Sequence, residues 1–377
     1  IEATGTTEFS LSQDSYYPLI VYHGENFGGD QITVSYTAPG SSETNDGSGV
    51  FFTRLSPVGL DISTVNAIGS DTDAVITPST IQSALAGTNV SLAATRDIKV
   101  QEPIILSENT NDLTFEAGNS IVIDQPITGV GTLNLHSNNG VEVNSGLTAG
   151  SIDVRAIAGG GISGSGSISV TGAGLDVLQA GNTTYSGQIS GNTSLRKNGA
   201  GTLELSGDLS FPGQVFLDEG TLIVSGGPNT YREFDINSGA VLEIDTSGGN
   251  QIFSGVFSGS GAFRKNGANE LELRGDSTPT FAGTTSINGG SLYLPGGLTQ
   301  SGNIILNDGF LELGNENSLG SSYSGTITFN GGLFKQGQAK DYSAQFSTAD
   351  NQQYKFEILG PTDGFANFSS PLISQGG

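Results

Sequence analysis

Between Asn89 and Leu147 apolar and polar residues alternate in short runs, and each run closes on Gly, Asn or Asp. NVSLAATRDIKVQEPI (Asn89–Ile104), DLTFEAGNSIVIDQPI (Asp112–Ile127) and TLNLHSNNGVEVNSGL (Thr132–Leu147) each carry two such runs. A period of two is the signature of strands with one buried side. Ile98, Ile121 and Val141 align, so the unit returns every ~20 residues or slightly more. A unit that small cannot bury its own apolar side, but stacked on its neighbours at ~4.8 Å per coil it shares a continuous core. The expected core of these coils is Leu92, Ile98, Val100, Phe115, Ile121, Ile123, Leu133, Leu135, Val141 and Val143.

A longer repeat overlies this one. SLRKNGAGTLELSG (Ser194–Gly207) returns as AFRKNGANELELRG (Ala262–Gly275), with Arg196 answered by Arg264. Tyr185–Gly191 matches Phe253–Gly259, and Gly220–Leu222 matches Gly290–Leu292 after a small insertion. The glycine-rich patch Gly159–Gly161 with Ser163–Gly166 reads as a tight coil corner, because Ile162, Ile168 and Val170 carry the strand pattern through it.

These residues carry a family resemblance. Ala86–Ile104 is similar to the repeats of filamentous-haemagglutinin-like adhesins. The cassette, with GTLELSG and EGTLIVSGG, resembles the passenger-associated transport repeat of bacterial autotransporters, although Asn269-Glu270 replaces Gly201-Thr202 in the second copy. The resemblance implies a secreted or extracellular parallel β-helix of the bacterial cell surface, with each cassette spanning about three coils. No membrane-embedded translocator barrel lies in these residues.

The segment before the solenoid reads differently. Phe9–Leu11, Leu19–Tyr22, Gln31–Tyr36 and Val50–Phe52 are short strand signals, with Pro39-Gly40 and Asp46-Gly47 as breakers. They suggest a small antiparallel β module, and Thr7–Ser12 resembles calcium-exchanger-type β domains over those few residues. Pro78-Ser79-Thr80 followed by Ile81, Ala84 and Leu85 predicts a capped helical turn that closes one end of the solenoid. The fold class is therefore all-β: a single-stranded parallel, right-handed β-helix at 76–377 behind a β module at 1–75. About a dozen coils would span ~60 Å.

Composition narrows the function. The 377 residues include 58 Gly and no Cys, Met or Trp, and the formal net charge is −24. Nucleic acid would need a basic stripe, so it is excluded as a partner, and anionic membrane is disfavoured for the same reason. No apolar run reaches the ~18 residues of a membrane span. Without cysteine there is neither a disulfide framework nor a thiolate metal site. The chain opens on Ile1, which suggests a mature or trimmed form, and closes on FSSPLISQGG, an echo of Phe253–Gly261. An edge of that kind invites another chain.

Candidate chemistry is sparse, and no catalytic or cofactor residue is assigned. His23 and His136 lie near no nucleophile motif, and His136 reads as an exposed turn residue at a strand end. Glu204 and Glu272, with Lys197 and Lys265 nearby, are the best acid–base candidates, yet they repeat with the cassette. An active site normally occurs once, so they read as solvated outward positions paired across coils. Asn45-Asp46-Gly47 and Asn307-Asp308-Gly309 offer oxygens to calcium, the one cofactor left open, but turn chemistry explains both. Arg274-Gly275-Asp276 spells a cell-attachment tripeptide in which only Arg274 departs from the first cassette. Tyr16, Tyr17 and Tyr22, and Phe310, Phe329, Phe334, Phe346 and Tyr354, are core members or sticky ends. The expected function is structural and adhesive, with self-association head to tail into a filament and contacts to glycans or host cells. The alternatives are a polysaccharide-degrading or tailspike-like enzyme, which predicts one non-repeated cleft of acids and bases, and a calcium-dependent carbohydrate-binding passenger.

Overall fold

The computed structural model describes residues 36–37, 44–45, 59–62 and 73–372, except 109, 227–232, 275–280, 297–299, 322, 338–339 and 359–367. The chain forms two compact units, Ile1–Arg54 and Leu55–Gly377. Within the first, Tyr36–Thr37 pairs antiparallel with Thr44–Asn45. The other strand signals of positions 1–52, with His23, Tyr16, Tyr17 and Tyr22, lie outside the described residues.

The second unit is a parallel β-solenoid of about twelve turns. Each full coil gives one strand to each of three ladders. Leu195–Asn198, Thr202–Leu205 and Leu209–Ser210 make up one coil, on the first, second and third faces respectively. The strands of neighbouring coils pair in parallel and mostly in register. On the first face Leu113, Leu133, Ile152, Leu175, Leu195, Val215, Phe234 and Phe257 form one inward column, all at most 3% exposed. In-register stacking makes like residues neighbours, so every inward position is walled by the coils on either side. The expected core is buried as read, except Leu92, which is only partly buried because Val90–Ala94 is the first strand of its ladder among the described residues. Ile162–Ser163 and Ile168–Val170 run through the glycine patch as strands. Gly160 is forced there, since any Cβ would collide with the Asn139 carbonyl of the coil beneath.

The helix Pro78–Leu85 has Thr77 as its N-cap, and the residue after it is Pro78, whose missing N–H costs a first turn nothing. Ile81 and Leu85 enter the core at 2% and 0% exposure. Gln82 Nε2 donates to the Ile105 carbonyl (2.9 Å), and Asn111 Nδ2 donates to the Leu85 carbonyl (2.7 Å). The helix thus lies against Ile104–Ile105 and Val90–Ala94, the first described strands of the third and first ladders. The second ladder continues past it: Gly59–Ile62 pairs with Asp97–Val100 and with Asp73–Ile76, so strands at positions before 76 belong to the solenoid sheet.

The cassette does not repeat in whole coils. Three coils beyond Leu195 on the first face stands Phe257, whereas the cassette counterpart of Leu195 is Phe263, further along the chain. Ala262–Asn266 accordingly lies on the second face, paired with Val241–Asp245 and Thr285–Ile287. The expectation of about three coils falls short by one strand: the second copy is turned by one face relative to the first.

Candidate functional site

In–out alternation through Leu195-Arg196-Lys197 directs Leu195 and Lys197 inward and Arg196 outward. Lys197 is 0% exposed and occupies an inner column between Val177 and Leu217. Lys265 is 0% exposed too, between Ile244 and Ile287 on the second face. The reading of these lysines as solvated partners of Glu204 and Glu272 is therefore wrong. The strand period that placed the leucines inside places the lysines there as well.

An ammonium inside an apolar column needs acceptors, or its desolvation is prohibitive. Lys197 Nζ donates to the carbonyls of Asn198 (3.1 Å), Gly199 (2.7 Å) and Glu219 (3.1 Å). Lys265 Nζ donates to those of Asn266 (2.8 Å), Gly267 (3.0 Å) and Gly289 (2.9 Å). Three donors meet three acceptors, one of them on the next coil. The corner itself depends on Gly199 (φ 81°) and Gly267 (φ 79°), whose left-handed backbone turns the strand onto the next face. Burial lowers both lysines to about 8, opposed by the charge of Glu219 on one and Asp245 on the other. Both remain ammonium ions at neutral pH.

Glu204 and Glu272 have other partners. Glu204 accepts from Thr184 Oγ1 (2.9 Å) and Ser225 Oγ (2.8 Å) on the coils either side. Glu272 holds Arg274 bidentately (2.6 and 2.8 Å), so the guanidinium of the tripeptide is already engaged; Gly275 and Asp276 lie outside the described residues. Asn307 belongs to a ladder in which Asn288 Nδ2 donates to Asn266 Oδ1 (2.8 Å), Asn307 Nδ2 to Asn288 Oδ1 (2.7 Å) and Asn330 Nδ2 to Asn307 Oδ1 (3.1 Å). Of the other calcium candidate only the backbone of Asn45 is described. Phe329, Phe334 and Phe346 are core, Tyr354 packs against them, and exposed Phe310 lies under Lys335 Nζ, 4.9 Å from its ring centroid.

Sequence reading missed a charged stripe on the outside of the first face. Register stacks Asn134, Asp153, Asp176, Arg196 and Phe216 in one column, with His136 and Arg155 in the next. His136 is not a free turn residue: it lies in the strand Ile127–Ser137, with Nε2 3.2 Å from Asp153 Oδ2. Arg155 Nε donates to the same carboxylate (2.8 Å). Arg196 lies 4.7 Å from the centroid of the Phe216 ring, donates to Asp218 (2.5 Å) and reaches Asp176 at 3.8 Å. Burial alone would raise Asp153, but His136 and Arg155 outweigh it and lower its pKa. Asp176 is raised, by burial first and by the Asp153 charge second. The stripe combines two arginines, a histidine and two aspartates, whereas the outward column Glu272, Tyr293, Glu312, Lys335 and Glu357 is mainly acidic. Its carboxylates and guanidiniums lie on an open sheet surface and can hydrogen-bond to polar groups set along the solenoid axis. The missed signal was spacing: these residues meet only when the coil steps of about twenty residues are laid in register.

The family model for the passenger-associated transport repeat matches residues 195–224 and 263–294, which are the two cassettes. The chain is also similar to the Adhesin BmaC autotransporter of Brucella suis biovar 1 (strain 1330), 33% identical over 176 residues, or 38% of this chain. That alignment spans 5% of the relative's length. The two cassettes are thus repeats of the autotransporter passenger kind. No solved structure matches. Among the described residues no helix is long and apolar enough to cross a membrane.

Proposed function

We propose that this chain is an adhesive segment of a secreted bacterial passenger, displayed at the cell surface as a rigid β-solenoid and devoid of catalysis. The observation that carries the reading is the coincidence of passenger repeats, a parallel solenoid and similarity to a protein named as an adhesin. Contact is made by the stripe His136–Asp153–Arg155–Asp176–Arg196, whose exposed mixed charges suit glycan hydroxyls and the polar surface of host cells. The reading is tested by measuring binding of purified protein to host cells and immobilised glycans. The paired substitution Arg155→Ala and Arg196→Ala should abolish binding with the fold intact by circular dichroism. Unchanged binding would remove the stripe from the proposal, and release of reducing ends from any glycan would overturn the non-enzymatic reading.

Self-association is the finer part of the proposal. Exposed Phe368 packs against Phe346 and Phe356, and exposed Ile358 lies in the same strand as Phe356, an arrangement that supports end-to-end docking of copies. Electron microscopy should show filaments at high protein concentration; dispersed single particles across calcium and salt conditions would contradict it.

A further inference from the structure

The two cassettes share the pentapeptide Arg-Lys-Asn-Gly-Ala, at 196–200 and 264–268, but fold its asparagine differently. Asn198 Oδ1 accepts from the backbone N–H of Gly199 at 2.7 Å. That hydrogen bond curls the side chain back so that Cγ lies beside the following amide nitrogen. Asn266 instead commits Oδ1 to Asn288 Nδ2 at 2.8 Å, the first rung of the asparagine ladder.

The buried lysine adds a second element. Lys197 Nζ donates to the Asn198 carbonyl oxygen, which belongs to the same peptide group as the Gly199 nitrogen. A cation on that oxygen stabilises the amide after it loses its proton, in the way a positioned donor stabilises an oxyanion. Gly199 brings no side chain to obstruct the nitrogen, and both Asn198 and Gly199 are partly open to water.

We propose that Lys197, Asn198 and Gly199 form a self-modification site that converts Asn198 to aspartate and isoaspartate. Water or hydroxide removes the Gly199 amide proton, and the nitrogen attacks Cγ of Asn198. The bond from Cγ to Nδ2 breaks, ammonia leaves and a five-membered succinimide remains. One water then opens either imide carbonyl: one opening gives aspartate, the other isoaspartate with an extra methylene in the main chain. No oxidant, reductant or cofactor takes part. The product adds a carboxylate beside Lys197 at the corner between the first and second faces, and the isoaspartate form lengthens that corner. The first cassette therefore ages, while the ladder protects the second.

The identical local sequences supply an internal control. The full chain is incubated at mildly alkaline pH, folded or in guanidinium, and the peptides carrying Asn198 and Asn266 are followed by mass spectrometry. Unfolded, the two sites should convert at equal rates. Folded, Asn198 should convert about tenfold faster than Asn266, the advantage of a held near-attack geometry. Asn288→Asp, which keeps its shape but removes the donor to Asn266, should bring Asn266 up towards Asn198. Equal rates in the folded chain, no conversion at Asn198, or an Asn266 still slow in the Asn288→Asp variant would each overturn the assignment.

Discussion

The first cassette begins on the first face of the solenoid and the second begins on the second face, yet both build the same corner. In each, a strand ends in Lys-Asn-Gly, the glycine takes a left-handed φ, and the lysine folds inward to bind three carbonyls. What differs is the surroundings. Lys197 is stacked between Val177 and Leu217 and Lys265 between Ile244 and Ile287, while only Asn266 of the two asparagines heads a side-chain ladder. The corner is therefore a portable joint, set by its own residues rather than by the face on which it falls. A solenoid with three comparable faces tolerates such rotation, because each face asks for the same things: alternating apolar residues and a satisfied turn.

The largest expected effect comes from removing the strut. Lys197→Met keeps most of the apolar stem but removes the ammonium that donates to three carbonyls, and should cost about 2–4 kcal/mol in denaturant unfolding. Lys265→Met should cost the same within about 1 kcal/mol if the joint is independent of its face. A loss confined to one cassette would break the equivalence. Replacing a buried charge by an apolar group is often harmless when its partner is removed too, but here the partners are backbone and stay.

Both lysines also carry a pH signature. Their folded values near 8 lie below the ordinary 10.5, so between those values the unfolded chain binds more protons. Stability from this source should then rise as pH increases from about 8 to 10.5, and the gain should disappear as pH returns to 8. Denaturant unfolding across that range checks it, and the double Lys→Met variant should lose the rise.

A smaller effect is expected at the turns. Gly199→Ala and Gly267→Ala each force an L-residue into a left-handed conformation and set a Cβ against backbone of the preceding coil, at Gln179 and at Ser247 respectively. Each should cost about 1–2 kcal/mol, again nearly equally. Smaller still, and deliberately unequal, is Asn307→Ala. It breaks two rungs of the ladder that only the second cassette joins, and should cost about 1 kcal/mol while leaving conversion of Asn198 unchanged.

How much of this was legible in the chain depends on the element. Strand alternation at Ile98–Val100, Ile121–Ile123 and Val141–Val143 places the core correctly, because burial on one side imposes a period of two whatever the partners. The same period pointed Lys197 inward, but the general rule that lysine stays outside prevailed. That rule holds unless a cage of acceptors exists, and the cage is backbone from another coil, invisible in local sequence. The rotation of the cassette was hidden for a related reason: the stretch from Leu195 to Phe263 resembles three coils until the register shows that Phe257, not Phe263, lies above Leu195. The stripe from His136 to Arg196 needed the register as well, since its members are separated by whole coils and no motif joins them.

The claim on which the rest depends is that the cassette lysines are internal struts. Acylation of the folded protein with a water-soluble amine reagent, read out by peptide mass spectrometry, tests it directly. Exposed Lys99 and Lys355 should be labelled rapidly, while Lys197 and Lys265 stay unlabelled until the chain is unfolded. Labelling of Lys197 and Lys265 at the rate of Lys99 would contradict the account.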